Sequence, residues 1–354
     1  MKSVITGTGS YIPNIVKKNS DFLSSKFLNE DGTPFNEENE VIIEKFKSIT
    51  GIEERRYAED KLNSSDLGFF ASEKAIKDAQ IDKEELDYII VAQNFGNVKT
   101  GSNQSDMLPS IASRIKHSLQ IKNPNCVAYD IIFGCPGWVQ GVIQAEAYIK
   151  AGIAKKCLVV GTETLSRVVD PSDRDSMIFA DGAGACVIEA KDSSKDSGIL
   201  SHATRTDVID EAYYLHFDKS FNKDLDSSIG YIKMLGRKIY EYGLSNVPAA
   251  MKTALDKSGL SISDVKKIFI HQANEKMDEQ IVKRFYRLYK SKVPAGVMPM
   301  NIHKLGNSSV ATIPTLFDHV KQGKMENQEI NSGDVVIFAS VGAGMNINAI
   351  VYRY

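Results

Sequence analysis

The chain carries much the same pattern twice, and that constrains its fold more than any other feature. Residues 75–94 read AIKDAQIDKEELDYIIVAQN and residues 254–273 read ALDKSGLSISDVKKIFIHQA, aligned over twenty positions without a gap. Apolar residues coincide at Ile76/Leu255, Ile81/Leu260, Leu86/Val265, Ile89/Ile268, Ile90/Phe269 and Val91/Ile270, while Ala75/Ala254 and Gln93/Gln272 are identical. Each copy has the pattern of a helix end, a turn and a short all-apolar strand of the buried parallel kind. The order then continues in step. Phe133-Gly134-Cys135 and Leu305-Gly306-Asn307 each precede a helical pattern, and an apolar strand follows in both (157–161 and 334–340). Gly182-Ala183-Gly184 and Gly342-Ala343-Gly344 then lead into a last apolar run. Strand–helix alternation alone recurs across α/β proteins, but a gapless block joined to paired glycine motifs points to duplication. The expectation is an α/β fold with mostly parallel sheets, in halves spanning 1–197 and 198–354.

Two stretches interrupt the repeat. Residues 93–110 and 205–232 lack a period and are expected as long loops, of the kind that form lids or pocket walls. A chain of 354 residues buries a substantial core, and its 42% apolar and 25% charged residues are ordinary for a globular protein. A formal net charge of -2 gives no reason to expect a nucleic-acid partner. No run approaches the ~20 apolar residues of a membrane span. The opening MKSVITGTGSYIP lacks the apolar stretch of a signal peptide. Cys126, Cys135, Cys157 and Cys186 are too few for a disulfide framework, and no His/Cys spacing suits zinc. These features predict a cytoplasmic, metal-free protein with reduced thiols.

Cys135 is the candidate nucleophile. A strand over roughly 127–132 runs into Gly134, Cys135 and Pro136, and proline is favoured at the first position of a helix. That places Cys135 at a helix N-terminus, where free N–H groups and the helix dipole favour a thiolate. Val139, Val142, Ile143 and Ala147 are the expected buried face of that helix. Cys126, Cys157 and Cys186 sit in apolar runs and read as structural. His271 ends the strand Lys267-Ile268-Phe269-Ile270, where parallel sheets place ligands. His117, His202, His216, His303 and His319 lack such a placement and read as structural. Asn307 occupies in the second half the position that Cys135 occupies in the first, so a pseudo-twofold would bring the two together.

Together these residues resemble the β-ketoacyl-acyl-carrier-protein synthase III family. The resemblance rests on Gly-Cys135-x-Gly, His271-Gln-Ala-Asn274, Leu-Gly-Asn307-Ser-Ser and Val-Gly342-Ala-Gly344, with Gly7-Thr-Gly-Ser-Tyr-Ile-Pro13, Thr50-Gly-Ile-Glu-Glu-Arg55, Asp170-Pro-Ser-Asp-Arg174 and Asp181-Gly-Ala-Gly184. It runs from residue 2 to residue 354 and implies the thiolase fold, five layers in the order αβαβα, and a homodimer. It also implies a decarboxylative Claisen condensation. Cys135 takes an acyl group from CoA or acyl carrier protein; His271 and Asn307 hold the malonyl thioester; backbone N–H groups of Cys135 and Ala343 hold the oxyanion. No resident cofactor is implied, since CoA and carrier-protein phosphopantetheine deliver the substrates. Arg174, Asn274, Lys276, Lys283 and Arg284 match positions that bind CoA or the carrier protein. Lys276, Lys283, Arg284 and Arg287 fall on one helical face suited to an acidic partner.

Two departures bear on the substrate. Members that prime from CoA place a tryptophan before the Thr-Gly-Ile segment, stacking the adenine against an arginine. The only tryptophan here is Trp138, so the aromatic partner of Arg174 is absent or displaced to Phe46. Loop 93–110 is also long. Both predict a specialised member taking longer or unusual acyl chains. The rival readings are an acyltransferase passing the Cys135 acyl group to an oxygen or nitrogen nucleophile, a cysteine hydrolase, and a catalytically silent partner.

Overall fold

The computed structural model describes residues 1–192 and 197–354. Two sheets form the frame. The first orders its strands Lys2–Tyr11, Asp181–Lys191, Lys156–Thr164, Tyr88–Ala92 and Val127–Ile131. The second orders Gly198–Thr206, Asn346–Arg353, Val335–Gly342 and Val265–Ile270. The repeat is visible as topology, because each sheet begins with two antiparallel pairings and then turns parallel. The sheets are therefore mixed rather than mostly parallel. The cause is plain in the second half, where only Ala343–Met345 separate two strands. So short a link permits a hairpin, whereas a parallel return needs a crossover of a dozen or more residues.

Among the described residues the second sheet has no counterpart of Val127–Ile131. The Val297 carbonyl accepts from the Ile268 N–H at 2.7 Å, but Pro294 and Pro299 flank that point, and proline cannot donate to a ladder.

Apolar side chains alternate between clusters along single strands. Val159 joins a central cluster while Leu158 and Val160 join an outer one; Phe338 faces the centre while Ile337 and Ala339 face the opposite outer side. Such strands read as unbroken apolar runs because both sheet faces are covered. Helices Ser64–Ala79 and Ile111–Ser118 cover the first sheet outside, and Gly236–Ser258 and Glu275–Leu288 cover the second. Helices Gly137–Lys150 and Thr312–Lys321 fill the centre, with Trp138 edge-on to Phe338 at 5.7 Å and Phe317 at 5.0 Å from the same ring. These are the five αβαβα layers.

Being enclosed on two sides changes the central helix. Trp138, Gly141, Ala145 and Ile149 are buried along with Val139, Val142 and Ile143, whereas Ala147 is exposed, against expectation. Two other expectations also shift. The strand before Cys135 lies at the sheet edge and is only half-buried. Residues 205–232 are not a plain loop: Leu215–Lys219 pairs antiparallel with Gly230–Met234. Lys233 fastens that hairpin through buried ion pairs to Asp170 (2.5 Å) and Asp173 (3.1 Å).

Candidate active site

The identical glutamines of the repeat each brace a turn. Gln272 donates to the Pro299 carbonyl at 2.8 Å and accepts from the Asn301 N–H at 3.0 Å, fixing the segment that leads to Asn307. Gln93 reaches Asp130 at 3.3 Å, on the strand that leads to Cys135, and accepts from the Gly96 N–H. The two turns match in backbone as well. Gly134 and Gly306 both take positive φ, +65° and +63°. A methyl group on Gly134 would lie 2.6 Å from the Ala343 nitrogen, and one on Gly306 would lie 2.8 Å from Arg55 Cβ. Only glycine meets both demands.

Cys135 follows immediately, one residue ahead of Pro136, which caps the helix Gly137–Lys150 rather than occupying its first turn. Gly342 packs on the Cys135 backbone, where a methyl group would come within 2.5 Å of its nitrogen. The sulfur accepts a hydrogen bond from Ser309 Oγ at 3.3 Å. Burial pushes the thiol up to about 11, opposed by the Ser309 hydrogen bond and reinforced by Glu163. Desolvation therefore outweighs the helix terminus, and the resting group is a thiol rather than the expected thiolate.

His271 leaves the strand Val265–Ile270 with its N–H on the Ala339 carbonyl at 2.8 Å. Its ring is buried and Nδ1 has no partner; burial lowers its pKa to about 4, so the imidazole is neutral. Asn307 is pinned by its backbone, donating to Ile178 (2.9 Å) and accepting from Ala180 (2.8 Å). Its Oδ1 accepts from the Ser309 N–H at 2.7 Å. The structure thus brings Cys135, Ser309 and the Gly342–Ala343 turn into contact. Asn307 joins them through Ser309, and His271 through the strand that ends at Gly342.

A cavity of about 140 Å³ opens on Cys135, walled by Ala343, Ser309, Phe95, Phe179, Phe217 and Ile232 among others. Phe95 and Phe217 close it with ring centroids 5.5 Å apart. His216, read from sequence as structural, also contributes to this wall, with Nδ1 on the Tyr213 carbonyl. Sequence reasoning missed Asn94 and Glu163. Asn94 donates to Glu163 at 2.5 Å and to Ser309 at 3.3 Å, and accepts from the Gly134 N–H at 3.1 Å. Glu163 is buried and pushed up to about 8 by desolvation. A carboxylate at the end of a buried strand, between Thr162 and Thr164, was the available signal. Asn346, which donates to the Ala343 carbonyl at 2.9 Å, followed the glycine motif and was also passed over.

The other expected positions lie apart from the cavity. Arg174 stacks on Phe35 at 5.0 Å, so the displaced aromatic is Phe35; Phe46 is buried near Arg55 instead. Asn274 caps its helix by accepting from the Met277 N–H at 3.0 Å. Lys276, Lys283, Arg284 and Arg287 are exposed along that helix, with Arg284 on the Leu244 carbonyl. Among the described residues no cluster of three or more His, Cys, Asp or Glu could hold a metal, and no helix is long and apolar enough to cross a membrane.

Two related halves that build one five-layered fold and converge on a cysteine at a helix start define a thiolase-fold condensing enzyme. Comparison with known proteins agrees. The family described as 3-oxoacyl-[acyl-carrier-protein (ACP)] synthase III matches residues 129–208, and its C-terminal counterpart matches residues 255–354. The β-ketoacyl-[acyl-carrier-protein] synthase III of Acholeplasma laidlawii is 32% identical, over 98% of this chain and 97% of its own. The crystal structure of 3-oxoacyl-(acyl carrier protein) synthase III from Pseudomonas aeruginosa superposes with a TM-score of 0.81 at 25% identity, covering 100% and 98% of the two chains. The corresponding Aquifex aeolicus enzyme gives 0.79 at 29%, covering 99% and 100%. The chain belongs to the β-ketoacyl-acyl-carrier-protein synthase III family.

Proposed function

We propose that this enzyme joins a Cys135-bound acyl group to a malonyl thioester in two stages. In the first, the Cys135 sulfur attacks an acyl thioester, the Cys135 proton passes to the departing sulfur, and the carrier leaves as its thiol. The N–H groups of Cys135 and Ala343 steady the oxyanion. In the second, His271 and Asn307 donate hydrogen bonds to the malonyl thioester carbonyl while CO₂ departs. A neutral imidazole suits that role. The enolate carbon then attacks the acyl carbonyl and the Cys135 sulfur leaves with its electron pair. Each such donor contributes roughly 3–4 kcal/mol to the transition state.

The single observation that carries the reading is Cys135 opening on an apolar cavity between the Ser309 hydroxyl and the Ala343 turn. The cavity, well below the ~300 Å³ of an ordinary ligand pocket, favours a short acyl group over the longer chains expected from sequence. The basic helix face of Lys276, Lys283 and Arg287 suits an acidic acyl carrier protein, and the Arg174–Phe35 pair suits the adenine end of CoA. We read the enzyme as a cytoplasmic homodimer without a resident cofactor.

Intact-protein mass spectrometry tests this. After incubation with acyl-CoAs or acyl-carrier proteins of two to eight carbons (roughly the range that brackets so small a cavity), Cys135 gains the mass of a short acyl group. Malonyl-carrier protein then removes it as a β-ketoacyl product. An acyl group that loads but stays in place would overturn condensation in favour of transfer to another nucleophile.

A further inference from the structure

Three residues account for the proposed reaction, yet the hydrogen bond that the Cys135 sulfur receives comes from none of them. It comes from Ser309, whose backbone sits at φ +51°, a left-handed conformation that side-chain-bearing residues avoid. The groups behind Ser309 leave its hydroxyl one orientation. The Gly134 N–H can only donate, so Asn94 turns its side-chain oxygen toward it. The two hydrogens of the Asn94 amide therefore point at Glu163 and at Ser309 Oγ. Ser309 Oγ accepts from Asn94, and its own hydrogen is left for the sulfur. Glu163 supplies a buried acceptor at the far end, with its second oxygen unpartnered.

We propose that Asn94 and Ser309 form a polarised hydrogen-bond relay, anchored on Glu163, that holds a donated hydrogen on the Cys135 sulfur whenever the sulfur carries charge. The inference rests on Cys135 being the nucleophile. It applies to both stages. In loading, the carbon–sulfur bond to Cys135 forms as the carrier's carbon–sulfur bond breaks, and the Cys135 proton ends on the carrier sulfur. In condensation the carbon–carbon bond forms, the Cys135 carbon–sulfur bond breaks, and the electron pair returns to Sγ. Ser309 keeps its proton throughout. Asn94 acts only through Ser309, as a positioning residue.

Ser309→Gly tests the relay cleanly, because glycine tolerates the left-handed backbone and lacks the hydroxyl. Alkylation of Cys135 by iodoacetamide, mapped by peptide mass spectrometry between pH 7 and 9, is expected to slow about tenfold, equal to a one-unit rise of the thiol pKa. The thermal midpoint stays level or rises. A residue with only a structural role would not lower reactivity while sparing stability. Asn94→Asp has no hydrogen to give and draws the Ser309 hydrogen toward itself, so it slows alkylation at least as far. Alkylation of Ser309→Gly within twofold of wild type overturns the relay. A wild-type enzyme that forms no β-ketoacyl product while Ser309→Gly still slows alkylation overturns the proposed reaction and leaves the relay standing.

Discussion

Two buried titratable residues at the site pull stability in opposite directions with pH. Burial holds the His271 pKa near 4, against 6.5 for the free group. As pH falls, the unfolded chain takes up the proton first, so stability present above pH 6.5 is lost on the way down toward 4. By pH 5 this costs about 2 kcal/mol. Urea unfolding at pH 7 and pH 5 isolates this in the difference between wild type and His271→Asn, since Glu163 titrates in both: wild type is expected to lose about 2 kcal/mol relative to the variant on going to pH 5, and an unchanged difference would refute it. Glu163 works the other way, with its pKa raised to about 8 from 4.5. Its contribution is present below pH 4.5 and is lost as pH rises toward 8, a change of roughly 3 kcal/mol between pH 5 and pH 8. Glu163→Gln has no such titration, so in the same assay wild type is expected to lose roughly 3 kcal/mol relative to this variant between pH 5 and pH 8. The catalytic candidates were legible at this scale because each marks an element end. Glu163, Asn94 and Ser309 were not, because Asn94 meets Ser309 across 215 positions and no local pattern encodes that contact.

At the scale of elements, the repeat in the sequence is also a repeat of bracing. Gln93 and Gln272 were visible as identical residues, but their purpose was not, since their partners lie on other segments. Gln272→Leu leaves the Pro299 carbonyl and the Asn301 N–H without partners in a buried turn. Each orphan costs about 1–3 kcal/mol. The variant is expected to lose about 2–6 kcal/mol, the sum of the two, on chemical unfolding. Condensation falls, because the turn carries Asn307, while Cys135 alkylation on the other half is spared. Equal loss of both activities would mean that the turn is not the element affected. Antiparallel pairings and the hairpin over the cavity were hidden for a related reason. Apolar runs record burial on both faces, not strand direction, and the Leu215–Lys219 hairpin is largely exposed, so it carries no strong alternation.

For the whole molecule, the asymmetry between the halves matters most. The strand Val127–Ile131 forms a free edge of the first sheet, with Val127 46%, neighbouring Ile132 63% and Leu108 88% exposed. An apolar edge with unpaired N–H and C=O groups is an aggregation hazard unless something covers it. A second copy related by a twofold axis covers it simply, since the same edge is self-complementary in antiparallel register. The two five-stranded sheets would then become one. Light scattering after size exclusion is expected to give twice the 39.1 kDa of the chain. Ile132→Asp places a charge at the end of the pairing strand and should return the mass to that of one chain. The same strand ends only four residues before Cys135, so losing the pairing loosens the Gly134 turn, and condensation should fall together with the mass. A wild-type protein that remains a single chain at micromolar concentration would remove the twofold, and the exposed edge would then require a different cover.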